Sequence, residues 1–192
     1  MADKSSSRFV SRGGDKLAAA LDHFASESLL DMAGLICADL GSHVGGFVDC
    51  LLQHGASKVY SVDTSYGTLA WKFRKDQRVV VLERTNAMHV SLPEPVNLVT
   101  IDVGWTPQAK ILPNAATLLT PGGWVITLIK PHYEAPKDIL EAGVLPDSAY
   151  DAVVPRTLSA ITQMGWTVEG QIESPIRGHG GNRELLVLLS RR

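Results

Sequence analysis

Short apolar segments alternate with helix-like segments along most of the 192-residue chain. Each short apolar run is typical of a strand buried on both faces, and the segments between them carry apolar residues at helical spacing. The pattern predicts strands at residues 35–40, 59–62, 79–82, 96–101, 124–129, 166–173 and 184–189. It predicts helices at residues 46–52, 66–74 and 109–119. One more helix is predicted near Pro155, with the proline in its first turn, and it ends at Gly165.

This alternation predicts an α/β fold with a mostly parallel, seven-stranded sheet that helices cover on both faces. The last two strands have no helix between them, only the polar, glycine-rich residues 174–182. They should therefore pair as a C-terminal antiparallel hairpin at the sheet edge. A Rossmann-like sheet with such a hairpin is typical of class I S-adenosylmethionine-dependent methyltransferases, whereas plain dinucleotide-binding domains lack the hairpin.

The N-terminal part, residues 8–25, is predicted to be a loop followed by an amphipathic helix. Residues 11–15 form the loop, and Asp15 is placed to cap the helix by accepting hydrogen bonds from its free amides. Lys16 then falls in the first turn, where a cation is disfavoured by the helix dipole. Such a local conflict is a mild indication of a functional role.

The charge balance restricts how the protein could contact nucleic acid. The net charge is −2, whereas proteins that bind nucleic acid through overall charge are usually strongly basic. Any RNA contact must therefore use a local basic patch. The candidates are Arg8, Arg12 and Lys16 near the start, and Lys72, Arg74, Lys75 and Arg78 in the middle. A solvated helix face is the competing interpretation of the second group.

The length of 192 residues suits one domain, residues 1–192, with a flexible polar start at residues 1–7. No apolar run approaches the ~20 residues that span a bilayer, and no signal peptide is visible. Cys37 and Cys50 are not at metal-ligand spacing, so they are predicted to be buried thiols and no metal site is expected. These features favour a cytoplasmic protein without a membrane contact.

Candidate cofactor-binding residues follow the first three predicted strands, because ligands of open α/β sheets bind beyond the carboxyl ends of the strands. Asp39 could pair with an ammonium group of the cofactor, and Asp63 could accept hydrogen bonds from two ribose hydroxyls. An acid such as Asp63 at the end of the second strand fits any adenosine-containing cofactor, NAD included. The glycine spacing G-x-x-x-G-G differs from the dinucleotide motif, which favours S-adenosylmethionine. The loop after the first strand contributes Gly41, Ser42, Gly45, Gly46 and Phe47.

Six ordered blocks carry a family resemblance: residues 11–17 (SRGGDKL), 39–52 (DLGSHVGGFVDCLL), 67–72 (GTLAWK), 83–86 (ERTN), 129–131 (IKP) and 181–184 (GNRE). From about Arg8 to the C-terminus the chain resembles the hemolysin A-like (TlyA) family of ribosomal RNA methyltransferases, whose catalytic domain is of the FtsJ type. The resemblance implies an RNA ribose 2′-O-methyltransferase that uses S-adenosylmethionine. It also implies that Asn86, or a backbone group beside it, contacts the adenine.

The FtsJ-type catalytic set is a lysine, an aspartate, a second lysine and a glutamate, which match Lys16, Asp102, Lys130 and Glu184. Asp102, at the end of the fourth strand, is also expected to border the cofactor. A ribose hydroxyl must lie in line with the methyl group and lose its proton, and Lys130 is the candidate for a neutral base or a charged orienting donor. From the residues alone, a structural Asp102–Lys130 ion pair is an equally good interpretation.

Two departures from the family bear on the substrate. The family carries a small N-terminal RNA-binding domain, for which this chain has no room, so a separate RNA-recognition partner is a possible requirement. The Asp-Val pair is followed by Gly104-Trp105 rather than Ser-Phe, which changes the expected substrate wall. The expected partner is RNA, in particular ribosomal RNA or a ribosomal subunit. The alternatives are a methyltransferase for a non-ribosomal substrate and a cofactor-binding module without catalysis.

Overall fold

The computed structural model describes residues 8–191, apart from the side chain of His179; the predicted flexible start, residues 1–7, lies outside the described residues. The strands are β1 (Ile36–Leu40), β2 (Lys58–Val62), β3 (Val79–Leu82), β4 (Val96–Ile101), β5 (Leu119–Ile129), β6 (Trp166–Glu173) and β7 (Leu185–Arg191). The helices are α1 (Arg12–Ser26), α2 (Gly46–Gln53), α3 (Trp71–Arg74), α4 (Gln108–Leu118), α5 (Pro131–Glu134) and α6 (Asp147–Gln163).

One seven-stranded sheet contains all of these strands in the order β3-β2-β1-β4-β5-β7-β6. The first five strands pair in parallel, and β7 pairs antiparallel with both β5 and β6. The predicted fold class is confirmed, including the C-terminal antiparallel hairpin. β7 inserts between β5 and β6, so the loop before β7 returns to the edge of the sheet where the parallel strands end.

Two hydrophobic clusters lie on the two faces of the sheet. One includes Leu17 and Phe24 of α1 together with Val48 and Leu51 of α2. The other includes residues of α4 and α6, among them Ile111. Burial on both faces explains why the strands are apolar throughout rather than alternating. None of the described helices is both long and apolar enough to cross a membrane.

Two predicted helices differ in the structure. The helix predicted at residues 66–74 is only α3, because Gly67 has a φ of 76° and its amide donates to Glu83 Oε1, which turns the chain away from a helical path. Pro155 lies well inside α6 rather than in its first turn. The hydrogen bond that Pro155 cannot donate leaves only the carbonyl of exposed Asp151 without a helical partner, where water can bind.

Helix α1 also starts earlier than predicted, at Arg12, with Ser11 at the N-cap and Asp15 inside the first turn. Asp15 is therefore not the capping residue. Lys16 lies beyond the first three residues of the helix, so the expected conflict with the helix dipole is weaker than the sequence indicated. Its burial, at 8% exposure, is the more informative feature.

Candidate active site

A cleft of about 430 Å³ opens at the carboxyl edge of the sheet, beside the adjacent strands β1 and β4. The chain leads from β1 to β2 on one side of this pair and from β4 to β5 on the other. Its volume is within the usual range for small-molecule and cofactor sites. The lining residues come from the start of α1, the loop after β1, the start of α2 and the end of β4: Ser11, Arg12, Gly13, Lys16, Gly41, Ser42, His43, Gly46, Phe47 and Asp102. Five predicted cofactor-binding residues and the predicted catalytic Lys16 thus face one cavity.

Close backbone approaches shape this cleft. At Gly41, whose φ is 93°, a Cβ atom would overlap the backbone carbonyl of Asp102. At Gly46 a Cβ atom would overlap Ser11 Oγ and the amide of Gly14. Side chains at Gly41 and Gly46 would therefore push β4 and α1 away from the glycine loop, and so the two glycines hold the walls of the cleft together.

Asp39 lies wholly buried behind the glycine loop. Its Oδ1 accepts a hydrogen bond of 2.8 Å from Thr100 Oγ1, whereas Oδ2 has no hydrogen-bond partner among the described residues. Burial raises the pKa of Asp39 to about 7, although the hydrogen bond from Thr100 opposes this. A buried carboxylate oxygen without a partner beside Gly41 fits a cofactor that brings an ammonium group.

Both carboxylate oxygens of Asp63 accept hydrogen bonds from backbone amides. Its Oδ2 accepts from the amide of His43 and its Oδ1 from the amide of Ser65, each at 2.7 Å. Burial alone would raise its pKa, but the hydrogen bonds from Ser65 and His43 outweigh burial and lower it. Asp63 is therefore an ionised acceptor in a fixed orientation at the end of β2, as expected for a group that binds ribose hydroxyls.

Two other predicted cofactor-binding residues, Asn86 and Gly45, are like Asp39 and Asp63 not among the residues that line the cleft. Asn86 is exposed, and its Oδ1 accepts from the amide of Met88 at 2.9 Å, so its side chain stabilises its own turn after β3. Gly45 is in the left-handed region at the start of α2, and it packs against Leu69 and Phe73 rather than lining the cleft.

Asp102 and Lys130 form an ion pair of 2.6 Å between the ends of the adjacent strands β4 and β5. Lys130 Nζ also donates to the carbonyl of Val103 at 3.2 Å. Both side chains remain partly exposed, at 25% and 16%. The pair is therefore accessible from the cleft, on whose wall Asp102 lies.

Lys16 and Glu184 form a second ion pair, and both side chains are nearly buried, at 9% and 3% exposure. Glu184 immediately precedes β7, and the register Ile129↔Leu185 places it opposite Lys130. Gly178 packs so tightly on Glu184 that a Cβ atom at this glycine would overlap the carboxylate. The four predicted catalytic residues thus lie as two ion pairs at the same edge of the sheet.

An aromatic pair beside the catalytic residues was not predicted as a unit. Trp105 is 86% exposed, has a φ of 61° and stacks on Tyr133 at a centroid distance of 5.1 Å. Tyr133 also contacts His132, whose pKa is lowered by burial and by the charge of Lys130. The sequence signal was the departure at Gly104-Trp105, but only the fold brings α5 next to it.

The second basic patch predicted from the sequence is largely neutralised. Lys72 pairs with Asp49, Arg74 with Glu83, and Arg78 with Asp76. Of the four basic residues, only Lys75 has no carboxylate within ion-pair distance in the part of the chain that the structure describes. The patch as predicted is therefore mostly a surface of ion pairs.

The sheet order, the antiparallel β7 and the glycine loop between β1 and α2 define a class I S-adenosylmethionine-dependent methyltransferase fold. The FtsJ-like methyltransferase family model matches residues 9–191. The chain is 37% identical over 190 residues to the 16S/23S rRNA (cytidine-2′-O)-methyltransferase TlyA of Mycobacterium tuberculosis, covering 94% of this chain and 68% of that relative. It is 35% identical over 185 residues to hemolysin A of Brachyspira hyodysenteriae, covering 93% and 75%.

A solved structure from Lactococcus lactis, described as a hemolysin, is 39% identical and superposes with a TM-score of 0.88 over 95% of this chain and 88% of that one. The chain therefore belongs to the FtsJ-like methyltransferase family, among relatives of the TlyA and hemolysin A type. It spans about two thirds of the length of curated relatives, 66% of one and 68% of another.

Proposed function

We propose that the chain transfers a methyl group from S-adenosylmethionine to the 2′-oxygen of a ribose in RNA, and that ribosomal RNA is the substrate. The observation that carries this proposal is the convergence of two ion pairs, Lys16–Glu184 and Asp102–Lys130, beside a cleft that fits the cofactor. A purely structural Asp102–Lys130 pair would not need to remain partly exposed on the wall of the cleft, as this pair does.

The cofactor would lie along the loop after β1. Asp63 would bind the ribose hydroxyls, Asn86 or its backbone the adenine, and Asp39 the ammonium group. Gly41, Ser42, Gly46 and Phe47 would form the wall. S-adenosylmethionine, when bound, supplies an electrophilic methyl group on a sulfonium.

Lys130 would orient the ribose hydroxyl. An ammonium group has three donors, and two of them are directed at Asp102 and at the carbonyl of Val103, so one remains for the 2′-oxygen. This arrangement favours a charged orienting donor over a neutral base. The bond between the 2′-oxygen and the methyl carbon would form as the sulfur–methyl bond breaks, with the electron pair of that bond remaining on sulfur, so that S-adenosylhomocysteine leaves and the hydroxyl proton goes to solvent. Fixed charges of this kind act through positioning and electrostatics.

Recognition of RNA would be shared with another module. M. tuberculosis TlyA modifies 16S and 23S rRNA, and this chain spans 68% of its length. We propose that a separate RNA-recognition partner or domain completes binding to the ribosomal subunit, and that the reaction takes place in the cytoplasm. Trp105, exposed beside Asp102, would form part of the wall that receives the target nucleotide.

The test is methyl transfer from labelled S-adenosylmethionine to purified ribosomal subunits, followed by nuclease digestion and nucleoside analysis. Label in 2′-O-methylnucleosides supports the proposal. Calorimetry with S-adenosylhomocysteine and with NADH provides the cofactor control, in which Asp63→Ala should weaken S-adenosylhomocysteine binding clearly. Cofactor binding without transfer to any subunit or RNA would favour the silent module, and transfer to bases would contradict the ribose assignment.

A further inference from the structure

A second surface, away from the catalytic pairs, carries two exposed aromatic rings that are each paired with a cation. Tyr66 is 69% exposed and Trp71 is 68% exposed. The guanidinium of Arg84 lies 4.2 Å from the Tyr66 ring centroid, and Lys75 Nζ lies 5.1 Å from the Trp71 ring centroid. We call these four residues the aromatic–basic surface.

Glu83 joins the two pairs into one rigid unit. It accepts a 2.8 Å hydrogen bond from the amide of Gly67, next to Tyr66, and forms an ion pair with Arg74 of α3, the helix that starts at Trp71. The amide of Arg84 donates to the carbonyl of Ser65 at 3.1 Å. The loop after β2, the end of β3 and α3 are therefore fixed relative to one another.

Among the described residues, neither cation of this surface forms a direct ion pair, although the charge of Arg84 helps to lower the pKa of Glu83. In the described part of the chain, Lys75 and Arg84 have no carboxylate within ion-pair distance, although the neighbouring Lys72, Arg74 and Arg78 each have one. Arg84 also holds a φ of 52°, a strained conformation for a residue with a long side chain. In this conformation its guanidinium lies over the Tyr66 ring.

Exposed rings beside unpaired cations are the combination that binds single-stranded nucleic acid, because bases stack on the rings and the cations attract phosphates. We propose that the aromatic–basic surface binds a single-stranded segment of the RNA substrate. The inference rests on the proposed function, and it assigns to this surface the nucleotides that flank the target. An acidic peptide could use the same cations but would gain little from two ring faces.

The position of the surface supports flanking contact rather than contact with the target. The amide of Thr85, next to Arg84, donates to the carbonyl of Asp63 at 3.0 Å, so the surface adjoins the proposed ribose end of the cofactor. From β2 to β5, where Lys130 lies, there are three strand spacings. Arg84 follows β3, one spacing further away. At about 4.8 Å each, these spacings place the two sites roughly 15 to 20 Å apart along the sheet, a distance that a few nucleotides can span.

The experiment measures fluorescence anisotropy of a labelled single-stranded oligouridylate, about 12 nucleotides long, with the full chain at low salt. Trp71→Ala and Tyr66→Ala should each weaken binding on the order of tenfold, because each removes one stacking ring. Trp71→Phe should restore much of the affinity. The matched control is Arg78→Gln, whose guanidinium is already paired with Asp76 and which should bind as the wild type does. Affinity for S-adenosylhomocysteine and the thermal midpoint should stay unchanged in all four variants.

Methylation of ribosomal subunits by the same variants separates the two proposals. If the wild type methylates RNA and the two alanine variants show a raised KM with an unchanged kcat, the surface binds substrate. If the wild type methylates RNA but the alanine variants match it in oligouridylate affinity and KM, the inference is overturned while the proposed function stands. If oligouridylate binding depends on Trp71 but the wild type methylates no RNA, the RNA-binding role of the surface stands and the proposed function is rejected. Binding of polyglutamate in place of oligouridylate would overturn the inference in favour of an acidic peptide.

Discussion

Lys16 and Glu184 are 168 residues apart in the sequence and form a nearly buried ion pair at the edge of the proposed active site. This contact ties α1 to the start of β7 and brings the first predicted catalytic residue to the last. Lys16 also lines the cofactor cleft, so the pair connects the cofactor wall with the strand end that faces Lys130.

The first prediction concerns this pair. Glu184→Gln should lower the free energy of unfolding by about 3 kcal/mol, because it leaves the Lys16 ammonium buried without its counter-charge. Denaturant unfolding measures this. The double variant Lys16→Met, Glu184→Gln should recover most of the lost stability, because no unpaired charge remains, yet it should stay inactive. Wild-type stability in Glu184→Gln would contradict the burial of the pair.

The second prediction concerns the pH dependence of cofactor binding. Asp39 has a raised pKa of about 7 in the free protein, and an ammonium beside it would favour the charged form. Binding should therefore release a proton near pH 7, and affinity for S-adenosylhomocysteine should fall as the pH decreases below about 7. Calorimetric titrations in buffers of different ionisation enthalpy measure how many protons are released on binding.

Asp39→Asn is the control for this behaviour. It should bind more weakly and release no proton from this site. In the free protein the raised pKa also means that the contribution of Asp39 to the free energy of unfolding falls as the pH rises from the unfolded value of 3.8 to about 7, since the folded form retains the proton over that range. Carboxylates with a lowered pKa, among them Asp63 and Glu83, act in the opposite direction, so the contribution of Asp39 is measured as the difference in free energy of unfolding between the wild type and Asp39→Asn. A difference between the two proteins that does not change with pH over this range would contradict the assignment.

The third prediction concerns Trp105. Trp105→Ala should raise the KM for RNA several-fold and leave affinity for S-adenosylhomocysteine unchanged, because the ring is 86% exposed and lies outside the predicted cofactor contacts. Trp105→Phe should keep the KM for RNA close to the wild-type value, because it retains an aromatic ring. Steady-state kinetics on ribosomal subunits measures both. An unchanged KM in Trp105→Ala would mean that the stacked pair with Tyr133 is not part of the substrate wall.

The sequence predicted those parts of the fold that depend on local pattern. Apolar runs located the seven strands of the sheet. The polar residues in or directly after the carboxyl ends of these strands, Asp39, Asp63, Asp102 and Lys130, lie at one edge because parallel strands end together. The Asp102–Lys130 contact could be predicted because the two residues follow β4 and β5, which are successive in the chain and adjacent in the sheet. Glu184 was indicated only by the family resemblance, and it lies opposite Lys130 because β7 inserts between β5 and β6.

Features that depend on contacts between distant segments could not be predicted in this way. Lys16 reaches the cleft because α1 packs on α2 and β7, and only the family resemblance indicated its role. The path of residues 64–70 depends on Glu83, which holds the amide of Gly67, so helical spacing alone was misleading there. The aromatic–basic surface needs β2, β3 and α3 in their final positions before its four residues come together.

The most direct measurement of the central claim maps ribose methylation by mass spectrometry. Ribosomal subunits would be incubated with S-adenosylmethionine and either the wild type or Lys130→Ala, and the RNA fragments compared. The account predicts a 2′-O-methylated nucleotide that appears with the wild type and is absent with Lys130→Ala, while both proteins bind S-adenosylhomocysteine with nearly equal affinity, because the Lys130 contact stabilises the transition state rather than cofactor binding. Equal methylation by the variant, or a cofactor affinity that is lost together with activity, would contradict it.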